Sequence, residues 1–202
     1  MHYGVSHNCS GVAPVLPAEE AAAVPEGIAP IYYLRLAFNI VRWDDQAIRC
    51  ASRDPQALLY GVVFSMISAA IIFLVTALPG MLARQGATAG TVFWGLLLGL
   101  VFVWVYLGAI ALIQFGLCHL IARWFLGATG TFFGVMRPLL LGWFVNGLVL
   151  IPVVGALASA VAWTAVLMMV FEEVDGIGRL KAFLISAGIN AIFLALVYLL
   201  PH

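Results

Sequence analysis

Long uninterrupted apolar runs dominate the chain, and their lengths predict membrane-crossing helices. The first, Leu58–Leu78, carries no charge, ends at Pro79-Gly80 and can cross a hydrocarbon core of about 30 Å. The second, Val92–Ala122, exceeds what a perpendicular helix needs, so it should tilt or extend past the interface. Arg123 and Trp124 close it as interfacial anchors. Pro138–Phe171 is also uncharged. As one helix it would be about 50 Å long at 1.5 Å per residue. Pro152 and Gly155 near its middle therefore predict a break into spans at about 138–153 and 156–171. A hairpin that stops short of the far interface is the alternative. The last run is Leu180–Leu200. The expected fold class is all-α, a polytopic transmembrane bundle of about five spans over residues 56–202.

Residues 30–55 have a different pattern. Ile31, Leu34, Phe38, Val41 and Ile48 recur at helical spacing, while Arg35, Arg42 and Arg49 form a second stripe seven residues apart. This predicts an amphipathic helix lying along the membrane interface, with Arg35, Arg42, Arg49 and Arg53 toward lipid headgroups. A helix packed on the protein's own loops fits the pattern equally. Residues 1–29 read as a flexible leader: they hold Pro14, Pro17 and Pro25, no Lys or Arg, and no apolar core of signal-peptide length.

Charge placement orients this scheme. Eight of the nine Lys and Arg residues (Arg35, Arg42, Arg49, Arg53, Arg123, Arg137, Arg179 and Lys181) fall on one side, and Arg84 alone on the other. The positive-inside rule then places the N-terminus in the cytoplasm and the C-terminus outside. Composition agrees: 64% of the 202 residues are apolar and 9% charged, too few polar groups to cover a water-soluble surface. Mean hydropathy is +1.11. A net charge of zero gives no field that would favour nucleic acid. The cysteines show no CxxC or zinc spacing.

Polar residues inside spans are costly and become functional candidates. Here they are Gln114, His119, Asn146 and Asn190. His119 is a weak candidate ligand for haem or chlorophyll magnesium, without a second intramembrane histidine to complete a bis-histidine site. Asn146 and Asn190 read as interhelical hydrogen-bond partners. Gly95 and Gly99, with Ala187, Ala191 and Ala195, give small-residue faces for helix packing, within one chain or between chains. Glu172, Glu173 and Asp175 oppose the helix dipole at the end of the fourth span. They should pair with Arg123, Arg137, Arg179 or Lys181 as a cytoplasmic ionic cluster; their spacing matches no metal loop. Walker, HExxH and GxSxG patterns are absent, as is a carboxylate pair within a span. The expectation is therefore a protein that is not an enzyme, with no cofactor and no metal.

The run Leu120–Phe132, with Leu126-Gly127-Ala128-Thr129-Gly130-Thr131-Phe132, resembles the glycine-threonine-phenylalanine loop of Yip-domain membrane proteins. So do Arg137-Pro138, Ile151-Pro152-Val153-Val154-Gly155, the stretch from Glu173 to Gly178 and Lys181-Ala182-Phe183, in that order over roughly residues 58–200. The resemblance implies five spans and a cytoplasmic N-terminal region. Ala128 and Thr129 stand where many relatives carry a second glycine and a basic residue, and the tyrosine- and proline-rich motif of Rab-binding members is missing. That favours a prokaryotic-type member in the cytoplasmic (inner) membrane. The function expected is a non-enzymatic scaffold or accessory protein whose partners are membrane lipids and other membrane proteins or further copies of itself. Two alternatives stand beside it. One is a small-solute channel or transporter lined by Gln114, Asn146 and Asn190. The other is an accessory subunit of a photosynthetic or respiratory complex.

Overall fold

The computed structural model describes residues 29–84, 86 and 88–199, so the leader apart from Ala29 lies outside the described residues. Every regular element among the described residues is helical. The amphipathic stretch forms two helices rather than one, α1 (Ala29–Val41) and α2 (Asp45–Arg53). Asp44 is the reason: its carboxylate accepts from the Gln46 and Ala47 N–H groups at 2.9 and 3.1 Å and so starts a new helix. Trp43 before it takes a left-handed φ of 65°.

Helix α3 (Gln56–Leu82) is capped by Asp54, whose Oδ1 accepts from Gln56 N at 2.9 Å. It continues through Pro79, which the sequence suggested as its end; a proline in the last turn costs little beyond one missing N–H bond. A reciprocal Thr88/Thr91 capping box opens α4 (Ala89–Phe125). Thr131 caps α5 (Phe132–Gly142) through Gly134 N, so this helix starts before Pro138, not at it. Its α geometry stops at Gly142, and Trp143–Leu150 winds as a 3-10 segment. There Asn146 Nδ2 donates to Trp143 O at 3.0 Å, drawing a backbone carbonyl away from the α-helical ladder. Helices α6 (Gly155–Asp175) and α7 (Arg179–Leu199) complete the chain.

Among the described residues, four stretches are long and apolar enough to cross a membrane: α3, α4, α5 with its 3-10 continuation, and α6. They fit an integral membrane protein. The fifth expected span, 180–200, overlaps α7, which is not among those four; Leu200 lies outside the described residues.

Burial is concentrated at one end of the bundle. In α4 the buried residues all lie between Ala111 and Ala122, and in α3 they are Ala57, Gly61 and Ala69. The core instead joins Leu36 and Ile40 of α1, Ile48 of α2, Leu139 and Leu141 of α5, and Leu167 and Phe171 of α6. Helices α1 and α2 thus form a packed platform under α5 and α6. The periodic apolar positions buried on α1 are Tyr33, Leu36, Ala37 and Ile40, whereas Ile31, Leu34 and Phe38 face outward. The apolar stripe of the sequence thus divides, with Ile48 buried on α2 and Ile31, Leu34 and Phe38 on the exposed side that Arg35 shares.

The two membrane hairpins differ in reach. Gly61 packs against Leu140 and Leu141, with its added Cβ position 2.8 Å from Leu140 Cβ. From that level α3 continues to Leu82 for about 32 Å, while α5 and its 3-10 segment reach Leu150 in about 19 Å. The turn Ile151–Val154 is wholly apolar, and Val153 projects from it with a φ of 69°. The amides of Ile151, Val154 and Gly155 donate to the carbonyls of Leu148, Pro152 and Ile151 at 3.0, 2.8 and 2.9 Å.

Candidate functional site

The polar chemistry gathers where the platform meets the ends of α4, α5, α6 and α7. The loop from Leu126 to Thr131 folds back over α6: Ala128 N donates to Ala122 O, and Thr129 N donates to Asp175 O, each at 3.1 Å. Beneath it, His119 Nδ1 lies 3.3 Å from Asp175 Oδ2, with both side chains buried. Asp175 Oδ1 has no hydrogen-bond partner and lies against Gly130. A Cβ on Gly130 would fall 2.3 Å from that oxygen and 2.6 Å from Val174 O, so only glycine permits this approach. Arg123 acts electrostatically on the same carboxylate from the exposed side of α4. Gly176, at φ 68°, ends α6 in the left-handed conformation and turns the chain toward α7.

The expected ionic cluster is distributed over α4, α5, α6 and α7. Glu172 accepts from Arg179 Nε at 2.8 Å. Glu173 pairs with Arg49 of α2 rather than with a neighbour on α7, so that arginine ties the platform to α6. Arg137 Nη1 donates to Ser52 O at 2.8 Å, joining α5 to the end of α2. Tyr33 adds a fourth tie, its hydroxyl donating to Asp54 Oδ2 at 2.5 Å. Burial, and then that hydrogen bond, hold the Tyr33 hydroxyl well above the ordinary tyrosine range. Lys181, Arg35, Arg42 and Arg53 are exposed and form no ion pair among the described residues.

The intramembrane polar residues are bonded separately. Gln114 Oε1 accepts from Trp163 Nε1 at 3.4 Å. Asn146 Oδ1 accepts from Ser159 Oγ at 3.1 Å. Asn190 Nδ2 donates to Ala160 O at 3.1 Å and to Thr164 Oγ1 at 2.8 Å. A groove of about 240 Å³ between α3, α4 and α5 is lined by Ser65 and by apolar residues including Ala69, Trp104, Ala111, Phe115 and Trp143, and none of these three polar residues reaches it. His119 does not line it either; its ring packs near Phe132, with centroids 5.9 Å apart. No group of three or more His, Cys, Asp or Glu side chains is placed to hold a metal among the described residues.

Gly95 and Gly99 face α3: a Cβ on Gly99 would meet the Phe73 ring at 2.5 Å, and one on Gly95 would meet Met81 at 3.6 Å. That small-residue step serves packing within the chain. Ala191 and Ala195 are exposed and Ala187 half-buried, while Ala182, Ile185, Ser186 and Ile189 of α7 are buried. Sequence reasoning missed the His119–Asp175 pair, because residues 56 positions apart carry no local pattern. The signal available was a charged residue and a histidine, each at the same end of an apolar helix.

No family model matches the chain, nor does a curated protein or a solved structure.

Proposed function

We propose that the protein is a non-enzymatic integral membrane scaffold of the prokaryotic Yip-domain type, which presents a rigid α1–α2 platform at the cytoplasmic membrane surface. The observation that carries this reading is the location of the core. Most of the fully buried large side chains belong to α1, α2, α5 and α6, with Phe115 of α4 the exception from the α3–α4 hairpin, so the fold holds one surface in a fixed shape. Ties from Arg49 to Glu173, Arg137 to Ser52 and Tyr33 to Asp54 support the same reading. Eight cations on this side against Arg84 on the other support a cytoplasmic platform, with α7 as the last span and the C-terminus outside. The apolar Ile151–Val154 turn supports a middle hairpin that ends inside the bilayer.

A channel draws no support from polar residues that bond separately. Partners are other membrane proteins or further copies of the chain. Purification in mild detergent should recover the full chain with a stoichiometric membrane partner or as a self-oligomer. A monomer without partners under those conditions overturns the scaffold reading.

A further inference from the structure

The outward face of α1 has the composition of a lipid-binding surface with a defined headgroup preference. Ile31, Leu34, Arg35 and Phe38 follow one another at helical spacing on one side of α1, and Arg42 continues that spacing in the turn just past Val41. Ile31, Leu34 and Phe38 are each more than half exposed, at 51%, 55% and 57%. Arg35 and Arg42 stand two turns apart on that side, about 10 Å along the axis. Trp43, 54% exposed, sits at its end as interfacial tryptophans do. Phe38 stacks near Phe144, with ring centroids 6.0 Å apart, and Phe144 belongs to a stretch apolar enough to cross the membrane. The face is therefore continuous with surface that lies at lipid depth.

Its charge forms no ion pair among the described residues. Among the described residues, Asp44 caps α2, Asp54 holds Tyr33 and Gln56, Glu172 pairs with Arg179, Glu173 with Arg49 and Asp175 with His119. The remaining carboxylate, Asp45, lies within electrostatic reach of Arg179. None is paired with Arg35 or Arg42.

We infer that this face binds the headgroup of an anionic phospholipid, with Arg35 and Arg42 on the phosphate and Ile31, Leu34 and Phe38 among the acyl chains. The inference rests on the platform being at the membrane surface, and it adds the partner that the platform holds. Arginine, which keeps its charge and offers a planar fork of donors, suits phosphate at an interface where its stem also contacts lipid.

The test titrates the full chain in mild detergent with phosphatidylglycerol or phosphatidylcholine of identical acyl chains, counting bound lipid by native mass spectrometry. Phosphatidylglycerol should be retained selectively. Arg35→Gln and Arg42→Gln should each weaken that retention about 5-fold, and the double variant about 25-fold. Arg84→Gln, on the opposite loop, should leave it unchanged, and circular dichroism should show all variants equally helical. Equal binding of the two lipids overturns the inference, and so does full selectivity in the double variant. Displacement of lipid by millimolar inorganic phosphate alone would assign the arginines to a free anion and overturn it too. Lipid binding and partner capture are separate readouts, so loss of lipid selectivity with the partner retained fails this inference and leaves the scaffold standing.

Discussion

Replacing Gly130 with alanine is expected to destabilise the protein by about 2–4 kcal/mol, the sum of an overpacked contact and a lost hydrogen bond. The added methyl would sit 2.6 Å from Val174 O, a backbone atom that cannot swing aside, and 2.3 Å from a carboxylate oxygen buried in the interior. The loop must then lift, and the Thr129 N to Asp175 O bond of 3.1 Å goes with it. In a thermal unfolding experiment in detergent the midpoint should fall by roughly 5–15 °C. An unchanged midpoint would mean that the loop does not rest on α6 as described.

The second large effect is expected at the buried pair. His119→Ala leaves the Asp175 carboxylate at 0% exposure with Oδ1 already unpartnered and Oδ2 newly so. Breaking such a pair from one side costs about 3–5 kcal/mol. Asp175→Ala removes the charge itself and leaves an imidazole that can remain neutral, so its cost should be lower. The double variant should be less destabilised than the sum of the two by at least about 1 kcal/mol, the coupling expected of residues in contact. Additive losses in a chemical unfolding series would show that the pair carries no interaction of its own.

Much of the helical layout is legible in the sequence because a run of 20 or more uncharged residues has few alternatives to a membrane helix. The starts of α4 and α6 and the turn at Pro152 lie close to the expected positions. Prolines misled in two places. Pro79 and Pro138 suggested boundaries, yet α3 and α5 run through them, because capping by Thr131 and packing of Gly61 on Leu140 outweigh one absent N–H. Helix α1 was ambiguous for a different reason. It is apolar on two sides, so periodicity alone could not say whether Ile31, Leu34 and Phe38 or Tyr33, Leu36 and Ile40 face the core. Only the tertiary partners on α5 and α6 decide it.

The candidate site was partly legible as well. Clusters of unlike charge at one end of the spans made an ionic assembly predictable, and Glu172 with Arg179 follows from spacing on adjacent helices. The pairing of Glu173 with Arg49, 124 residues away, requires α2 to be folded against α6, which no local pattern encodes. The same holds for Arg137 and the Ser52 carbonyl.

The claim on which this account turns is that α1 and α2 are a fixed part of the bundle and not a loosely attached amphipathic segment. Hydrogen exchange on the full chain in phospholipid vesicles measures this directly. The account predicts that backbone amides of residues 33–41 and 48–53 exchange as slowly as those of α5 and α6, since their buried faces share one core. Exchange of those amides within seconds, while α5 and α6 stay protected, would contradict it.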